Sequence, residues 1–395
     1  MSWPLVNLSA VCQIDMGSAP KGTTYVELDK GVPLIAGAAD YGDVFPRPKK
    51  ATLEPTKLCE EGDIIICVRA TIGDLNWADK EYCLGRGVAG LRVHDKKLDS
   101  KYLWYFIASI EDELYRNSTG STFPQINKKV IESLKIPLPP LETQKQIAAV
   151  LEKADQLRKD CKLLEQELNS LAQSVFIDMF GDPSTNPKGW DIATLGDEIE
   201  YIGDIGSNGS NDNVSQNLDM KDEEDYAVMI RTTNLNANDF TNNLKYISEK
   251  AYNYFSKSKI YGGEIIMNKI GSAGKFWIMP DLQRPVSLGL NQLMIRLKNA
   301  NAWFIYYYLS TDYCKQLIAS KTRGAITKSI TKSAVKDIPI IAPPIYKQAE
   351  FSLFIEKNNK LLAVQALLIE DYEQSFNSLM QKAFSGELNL VNAKT

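Results

Sequence analysis

The stretch Ile136-Pro137-Leu138-Pro139-Pro140-Leu141 returns 204 residues later as Ile340-Ile341-Ala342-Pro343-Pro344-Ile345, and that return decides how the whole chain is organised. The offset persists on both sides. Gln144 falls on Gln348, Glu152-Lys153 on Glu356-Lys357 and Phe180 on Phe384; upstream, Leu84-Gly85 falls on Leu288-Gly289 and Leu91-Arg92 on Ile295-Arg296. Gly62-Asp63-Ile64-Ile65 matches Gly263-Glu264-Ile265-Ile266 at an offset of 201, so short loop insertions account for the drift. A period this long means two copies of a domain, not a solenoid of small repeats.

Each Pro-Pro pair fixes extended backbone and then releases the chain into a helix. The run from Glu142 to Met179 contains neither Pro nor Gly, and Gly181-Asp182-Pro183 and Ser385-Gly386 mark where the two helices should stop. In the first helix, 3-4 spacing selects Ile147, Val150, Ala154, Leu157, Cys161, Leu164, Leu168, Leu171 and Val175, an apolar seam. The same register in the second gives Phe351, Phe354, Asn358, Leu361, Gln365, Leu368, Tyr372, Ser375 and Leu379. Neither seam would stay in water, so the expectation is an antiparallel coiled coil between them. Asn358, Gln365 and Ser375 then either set the alignment or sit at the edge of an imperfect seam. About 40 helical residues at ~1.5 Å each make a spacer of roughly 60 Å, longer than one turn of B-DNA at about 34–36 Å.

The globular parts carry short β-rich runs at 63–68, 227–231 and 264–267, and an amphipathic helix near 101–110 with a counterpart at 303–309. That mixture predicts two α/β (α+β) domains, 1–138 and 183–342, each followed by a spacer helix, 139–182 and 343–386, with a tail at 387–395. The aromatics of the two amphipathic helices read as core packing rather than a stacking platform for single strands, since they recur at matching places among aliphatic neighbours.

The chain has 395 residues, 44% hydrophobic and 24% charged, which is enough for real cores and excludes disordered, collagenous and mini-protein classes. No window approaches 18 uninterrupted apolar residues and the first residues lack a secretory pattern, so a cytoplasmic protein with no membrane contact is expected. The six cysteines form no C-x-x-C pair and the single histidine, His94, cannot complete a zinc set, so neither a structural metal nor a disulfide framework is expected.

Catalytic motifs are missing in turn. Gly271-Ser272-Ala273-Gly274-Lys275-Phe276 has the wrong glycine spacing for a P-loop, and Phe stands where a metal-binding hydroxyl is needed. Neither Pro-Pro segment offers the Asn/Asp-Pro-Pro-aromatic group of an amino-methyltransferase. No acidic metal set follows Pro280-Asp281, and no G-x-S-x-G elbow or His-based triad exists.

What repeats is a binding constellation. The net charge is −4, but the basic residues are clumped: six between Lys315 and Lys336 with no acid, and four against one acid between Arg116 and Lys135. These stretches contain matched loops, Ser118-Thr119-Gly120-Ser121-Thr122-Phe123-Pro124-Gln125-Ile126 and Thr322-Arg323-Gly324-Ala325-Ile326-Thr327-Lys328-Ser329-Ile330, with Gly120 over Gly324. A Gly-centred loop rich in hydroxyls, amides and bases suits nucleic acid, because Lys and Arg neutralise phosphates while Gln, Arg, Ser and Thr reach base edges. The candidate DNA contacts are Thr119, Ser121, Thr122, Gln125, Arg323, Thr327, Lys328, Ser329 and Lys332 in and beside these loops, with Arg231, Thr232, Thr233 and Asn234 at a strand end. Arg47, Lys49, Arg69, Lys269 and Arg284 are less marked members. Against this stands a duplicated coiled-coil adaptor whose basic loops are ordinary surface.

The order of variable domain, Pro137-Leu138-Pro139-Pro140-Leu141-Glu142-Thr143-Gln144-Lys145-Gln146-Ile147-Ala148 helix, second variable domain and second Pro-Pro helix resembles the specificity subunit of type I restriction-modification enzymes. The second copy departs from the pattern at Tyr346 and Phe351. The resemblance implies two target-recognition domains, each reading one half of a split, non-palindromic double-stranded DNA target, and helices that set the gap and bind two methyltransferase subunits. Gln144, Lys145, Lys347 and Gln348 are its candidate partner contacts on outward helix faces. It further implies that this chain is non-catalytic and binds no cofactor, with S-adenosylmethionine on the methyltransferase subunits and ATP and Mg2+ on motor-nuclease (restriction) subunits.

Overall fold

The computed structural model describes residues 3–93, 97–120, 124–270, 274–324 and 328–388. The chain packs as two units, residues 1–163 with 366–395, and residues 164–365, so each long helix gives one half of itself to each unit. The globular boundaries expected from sequence fall inside these units. Each half of a long helix also adds residues to the core of the unit it packs on.

Both units repeat one plan. In the first, a four-stranded antiparallel sheet runs in the order Cys12–Met16, Val88–Val93, Ile64–Cys67, Leu75–Trp77. In the second the order is Ile199–Gly203, Gln292–Leu297, Ile265–Asn268, Phe276–Ile278. The registers correspond: Ile64 lies opposite Leu91 and Ile265 opposite Ile295. Ile64-Ile65-Ile66-Cys67 is buried at every position, as a β-branched run covered on both faces must be. Ile64 and Ile66 enter a core shared with the helices, while Ile65 enters a smaller one on the other face; Ile265 and Met267 against Ile266 divide the same way. The second face is covered in each unit by a further sheet that contains one parallel pair, Val32–Ile35 with Tyr82–Leu84 and Ala227–Ile230 with Val286–Leu288.

A buried ion pair is also duplicated. Arg92 meets Asp63 through two hydrogen bonds of 2.9 and 2.8 Å, and Arg296 meets Glu264 at 3.0 Å. The carboxylates accept backbone N–H groups of the turns before their strands, from Glu60 in one unit and from Tyr261 and Gly262 in the other. Charge-assisted pairing of this kind fixes the entry of the central strand.

The long helices span Leu141–Phe180 and Ile345–Ser385, and Gly181 and Gly386 follow them with φ of 83° and 80°, the left-handed cap that glycine adopts without strain. In the second unit, Asn358 donates to the Leu168 carbonyl at 3.1 Å while Phe176 packs on Phe351 with ring centroids 5.6 Å apart, an ascending against a descending numbering and hence antiparallel. In the first unit, Lys162 and Arg158 both reach Glu373, and the Arg158 guanidinium lies 4.6 Å from the Phe376 ring centroid.

Over much of both helices the seam sits one residue further along than the apolar spacing implies, while Ile147, Phe351, Asn358 and Gln365 keep their expected places. Leu151, Asp155, Ala172 and Phe176 are buried in the first helix, and Ser352, Ile355, Asn358, Gln365, Phe376 and Met380 in the second. Of the expected seam, Ile147, Phe351, Asn358 and Gln365 are buried, and Val150, Ala154, Cys161, Leu168, Val175, Phe354, Tyr372 and Leu379 half-buried. Leu157, Leu164, Leu171, Leu361 and Leu368 face outward, Leu361 at 57% exposure. The physical reason is that polar groups occupy the true seam with their partners beside them: Asp155 holds Arg158 at 2.6 Å and Lys159 at 2.8 Å, and Arg158 reaches across to Glu373 at 3.0 Å. Of the polar residues weighed for alignment, Asn358 and Gln365 lie within the packing, while Ser375 is exposed.

The amphipathic helices Ser100–Ser109 and Ala302–Leu309 bury Tyr102, Tyr105, Phe106, Phe304 and Tyr308, so their aromatics are core. Phe176, Phe180, Phe304 and Phe351 form one mutually packed cluster, each side chain contributing roughly 1.5–3 kcal/mol through burial. All six cysteines are reduced, and among the described residues no helix is long and apolar enough to cross a membrane.

Candidate nucleic-acid interface

In each unit, loops that follow strands of the two sheets are tied to one another by backbone hydrogen bonds. In the first unit they follow Val32–Ile35, Tyr82–Leu84 and Ile64–Cys67, joined by the Gly120 loop. Backbone hydrogen bonds tie them in sequence: Gly85 N–H to Ile35 O at 2.8 Å, Val68 N–H to Gly87 O at 2.8 Å, and Ile126 N–H to Val68 O at 3.0 Å. Thr119 and Gln125 exchange two bonds of 2.9 Å, closing the loop at its base, and Arg69 bridges to Gln125.

The second unit reproduces that frame. Lys269 N–H reaches Asn291 O at 2.8 Å, Ile330 N–H reaches Lys269 O at 3.1 Å, Arg323 and Ser329 exchange two bonds of 2.8 Å, and Ile270 bridges to Ser329. Gly120 and Gly324, each just beyond its ladder, have φ of 97° and 109°, a conformation that a side chain adopts only under strain. The resulting frame, a Gly-turned loop tied to the ends of neighbouring strands, is built twice, and in the first unit it stands beside a cleft.

The side chains of the expected contacts divide into those offered to solvent and those committed inside the protein. Thr119, Gln125, Arg69, Arg323, Lys328, Lys49 and Thr233 are exposed, and no ion pair forms at Arg69, Arg323, Lys328 or Lys49 among the described residues. Ser329 is half-buried at the loop base. Ser121, Thr122 and Thr327 lie outside the described residues, as does His94.

Others are otherwise employed. Lys269 and Lys332 both hold buried Asp204, at 2.6 and 2.7 Å, so they brace the loop from beneath. Burial pushes the Asp204 carboxyl up, but hydrogen bonds from Lys269, Lys332 and Ser207 outweigh it and bring it down to about 2. Asn234 is buried, its Oδ1 accepting from Arg231 N–H, which makes it a turn residue rather than a reader. Thr232 donates to Asn268 and accepts from Gln292. Arg231 donates to Asn243 O, and its Nε is buried without a partner. Arg284 pairs with Glu224 and stacks over Tyr246, while Arg47 pairs loosely with Asp43.

Two partner-contact expectations are corrected. Gln144 and Gln348 are buried and hydrogen-bonded within their own units, Gln144 accepting from Asp99 N–H at 2.8 Å and donating to Lys97 O and Pro139 O, and Gln348 accepting from Asn301 N–H at 3.0 Å and donating to Pro343 O. They fasten the helix start to the domain, because the carbonyl exposed by each Pro-Pro step needs a donor. Lys145, paired with Glu142, is exposed, and Lys347 half-buried beside the Tyr346 ring.

Sequence reasoning missed Arg86 and Asp204. Arg86 lies in the turn after Tyr82–Leu84 and lines the first cleft with Arg69. Its signal was available, since the 204-residue offset sets it over Leu290. Asp204 carried none, because its lysines are 65 and 128 residues away.

A duplicated domain with this loop frame defines a class of DNA-specificity protein. The family described as the type I restriction modification DNA specificity domain matches residues 2–172 and 187–365, and the chain belongs to that family, carrying its domain twice. The chain described as the specificity subunit of the type I restriction enzyme MjaX from Methanocaldococcus jannaschii is 38% identical over 170 residues, a match that spans 42% of this chain and 40% of that one. The MjaVIII specificity subunit of the same organism is 20% identical, over 99% of this chain and 94% of its own. The EcoBI specificity subunit of Escherichia coli is 21% identical, over 98% and 86%. The crystal structure of the type I restriction-modification S subunit from M. genitalium has the same fold, with a TM-score of 0.59 at 15% identity over 97% of this chain and 96% of that one.

Proposed function

We propose that this chain is the DNA sequence-specificity subunit of a type I restriction-modification complex. Each domain reads one half of a bipartite, non-palindromic duplex target with its Gly-turned loop and the strand-end loops tied to it. The observation that carries this reading is the frame itself: one set of backbone hydrogen bonds, from Val68 and Ile126 in one unit and from Lys269 and Ile330 in the other, presents different side chains at matched places. Two unlike readers on a common scaffold suit a split target whose halves differ.

In this reading the chain recognises and does not itself catalyse. The long helices set the gap and take two methyltransferase subunits, which bring S-adenosylmethionine; motor-nuclease subunits bring ATP and Mg2+. The acidic net charge is consistent with a grip on DNA shared with partners. The test is footprinting of the complex reconstituted with its methyltransferase subunits, together with mapping of methylated adenines in the source genome. The expected result is two protected half-sites with a fixed gap. A single continuous site, or no sequence preference, overturns the proposal.

A further inference from the structure

We infer that the first domain reads guanine through Arg69 and Arg86, and that the second reads the thymine methyl through the aliphatic pair, Ile270 and Leu290, that stands in their places. This inference rests on the specificity-subunit reading and deepens it.

The equivalence of the positions comes from backbone structure. Arg69 bridges to Gln125 and Ile270 to Ser329, each at the base of its Gly-turned loop. Arg86 and Leu290 each stand second after the end of the parallel-paired strand, beyond Leu84 and Leu288, and before strands in the same register. Gly87 and Asn291, the residues that follow them, both give their carbonyl to the strand end opposite, at 2.8 Å.

The two arginines line one cleft of ≈ 610 Å3, together with small residues such as Ala36, Ala38 and Gly85. Neither forms an ion pair or a side-chain hydrogen bond among the described residues, whereas Arg92, Arg158, Arg284 and Arg296 each hold a carboxylate. An arginine left without an acid beside a cavity of small residues is a donor fork with room in front of it. Its backbone is fixed at a cost: Ala70, the next residue, has φ of 61°, and is held there by its N–H to Pro124 O and by the Tyr115 hydroxyl donating to its carbonyl. A non-glycine residue in the left-handed region persists only where its surroundings over-determine it, so the direction in which Arg69 leaves the strand is set before DNA arrives.

Paired N–H donors match guanine O6 and N7 in the major groove, the pattern that no other base presents. At the matching places of the second unit, Leu290 is 42% exposed and Ile270 half-buried, and neither side chain has a donor. The one apolar feature of a base edge in that groove is the thymine methyl. The common frame delivers both pairs to the same place, so the two half-sites should differ in base class there.

The experiment uses the full chain in complex with its methyltransferase subunits, and duplexes carrying the mapped target with each half-site position varied in turn. The variants are Arg69→Gln, Arg86→Gln and Leu290→Ala, each checked for an unchanged thermal melt. Wild type should prefer guanine at one or two positions of one half. The arginine variants should relax that preference by about 10- to 100-fold, the range set by one bidentate contact, and leave the other half alone. A 7-deazaguanine at the same position should mimic them. In the other half, deoxyuridine for thymine should weaken wild type by about fourfold, the effect of one buried methyl-sized group, and should not affect Leu290→Ala.

If the arginine variants weaken binding uniformly over all sequences and lower the salt slope by about 1, these residues hold phosphates and the inference is wrong while the bipartite reading stands. If a guanine preference survives both substitutions, it is wrong as well. If wild type shows no bipartite target, both fall together.

Discussion

Replacing Asp204 with asparagine should destabilise the second domain by an amount that shrinks as the solution is acidified. The carboxylate is buried and accepts from Lys269 at 2.6 Å, Lys332 at 2.7 Å and Ser207 at 2.8 Å. Burial raises its pKa, the lysine and serine hydrogen bonds more than offset that, and the folded value is about 2 against 3.8 for an unperturbed carboxyl. A depressed pKa means stability that is present above the unfolded value and is lost as pH falls through the folded one. At pH 7 the difference is worth about 2 kcal/mol, and by pH 3 about half of that has gone. Urea unfolding of wild type and Asp204→Asn, followed in parallel at pH 7, 4 and 3, should therefore show a stability gap of at least about 2 kcal/mol that narrows by about 1 kcal/mol at the acid end. Because Lys332 opens the short helix after the Gly324 loop and the Lys269 carbonyl receives Ile330 N–H, amides at Arg323 and Ser329 should also exchange faster in the variant. A gap that stays constant from pH 7 to pH 3 would refute the argument that the lysine-paired, ionised carboxylate is the source of the stability.

The displaced helix seam predicts that Leu151→Ala costs about 2–5 kcal/mol in urea unfolding of the isolated chain whereas Leu164→Gln changes it by no more than about 0.5 kcal/mol; equal losses would restore the seam read from apolar spacing. Gln348→Leu should cost about 1–3 kcal/mol, since Asn301 N–H and the Pro343 carbonyl lose their partner, and unchanged denaturation midpoints would show that water replaces it. Gly324→Ala should strain the left-handed turn by about 1–2 kcal/mol and weaken DNA binding at one half-site only, measured by binding to duplexes with that half scrambled; equal loss at both halves would argue against a local reader.

Much of the architecture was legible because it was written twice. A single copy of Asp63-Ile64-Ile65 or of Pro139-Pro140 is ambiguous, but recurrence at a near-constant offset identified the domain, its helix and the matched loops together. Helix ends were marked by Gly181 and Gly386, local conformational signals that need no tertiary context. The site was legible as loops and much less as side chains. Lys269, Lys332 and Asn234 have the chemistry of DNA contacts, and sequence cannot separate a lysine offered to phosphate from one closed on a carboxylate 65 residues away. The same blindness moved the seam, because Asp155, Arg158 and Glu373 look like surface residues until their mutual pairing is seen.

By itself, then, the sequence determined the duplication, the two long helices, the β-rich domains and the positions of the Gly-turned loops, all of which rest on local conformational preference and on repetition. Only tertiary structure decided which helix face is buried, that Gln144 and Gln348 turn inward, and that Arg69 and Arg86 share an open cleft while Lys269 and Lys332 are spent on Asp204. Those outcomes depend on which charged and polar groups meet across long sequence separations, and burial of such a group is tolerated only where the fold brings its partner.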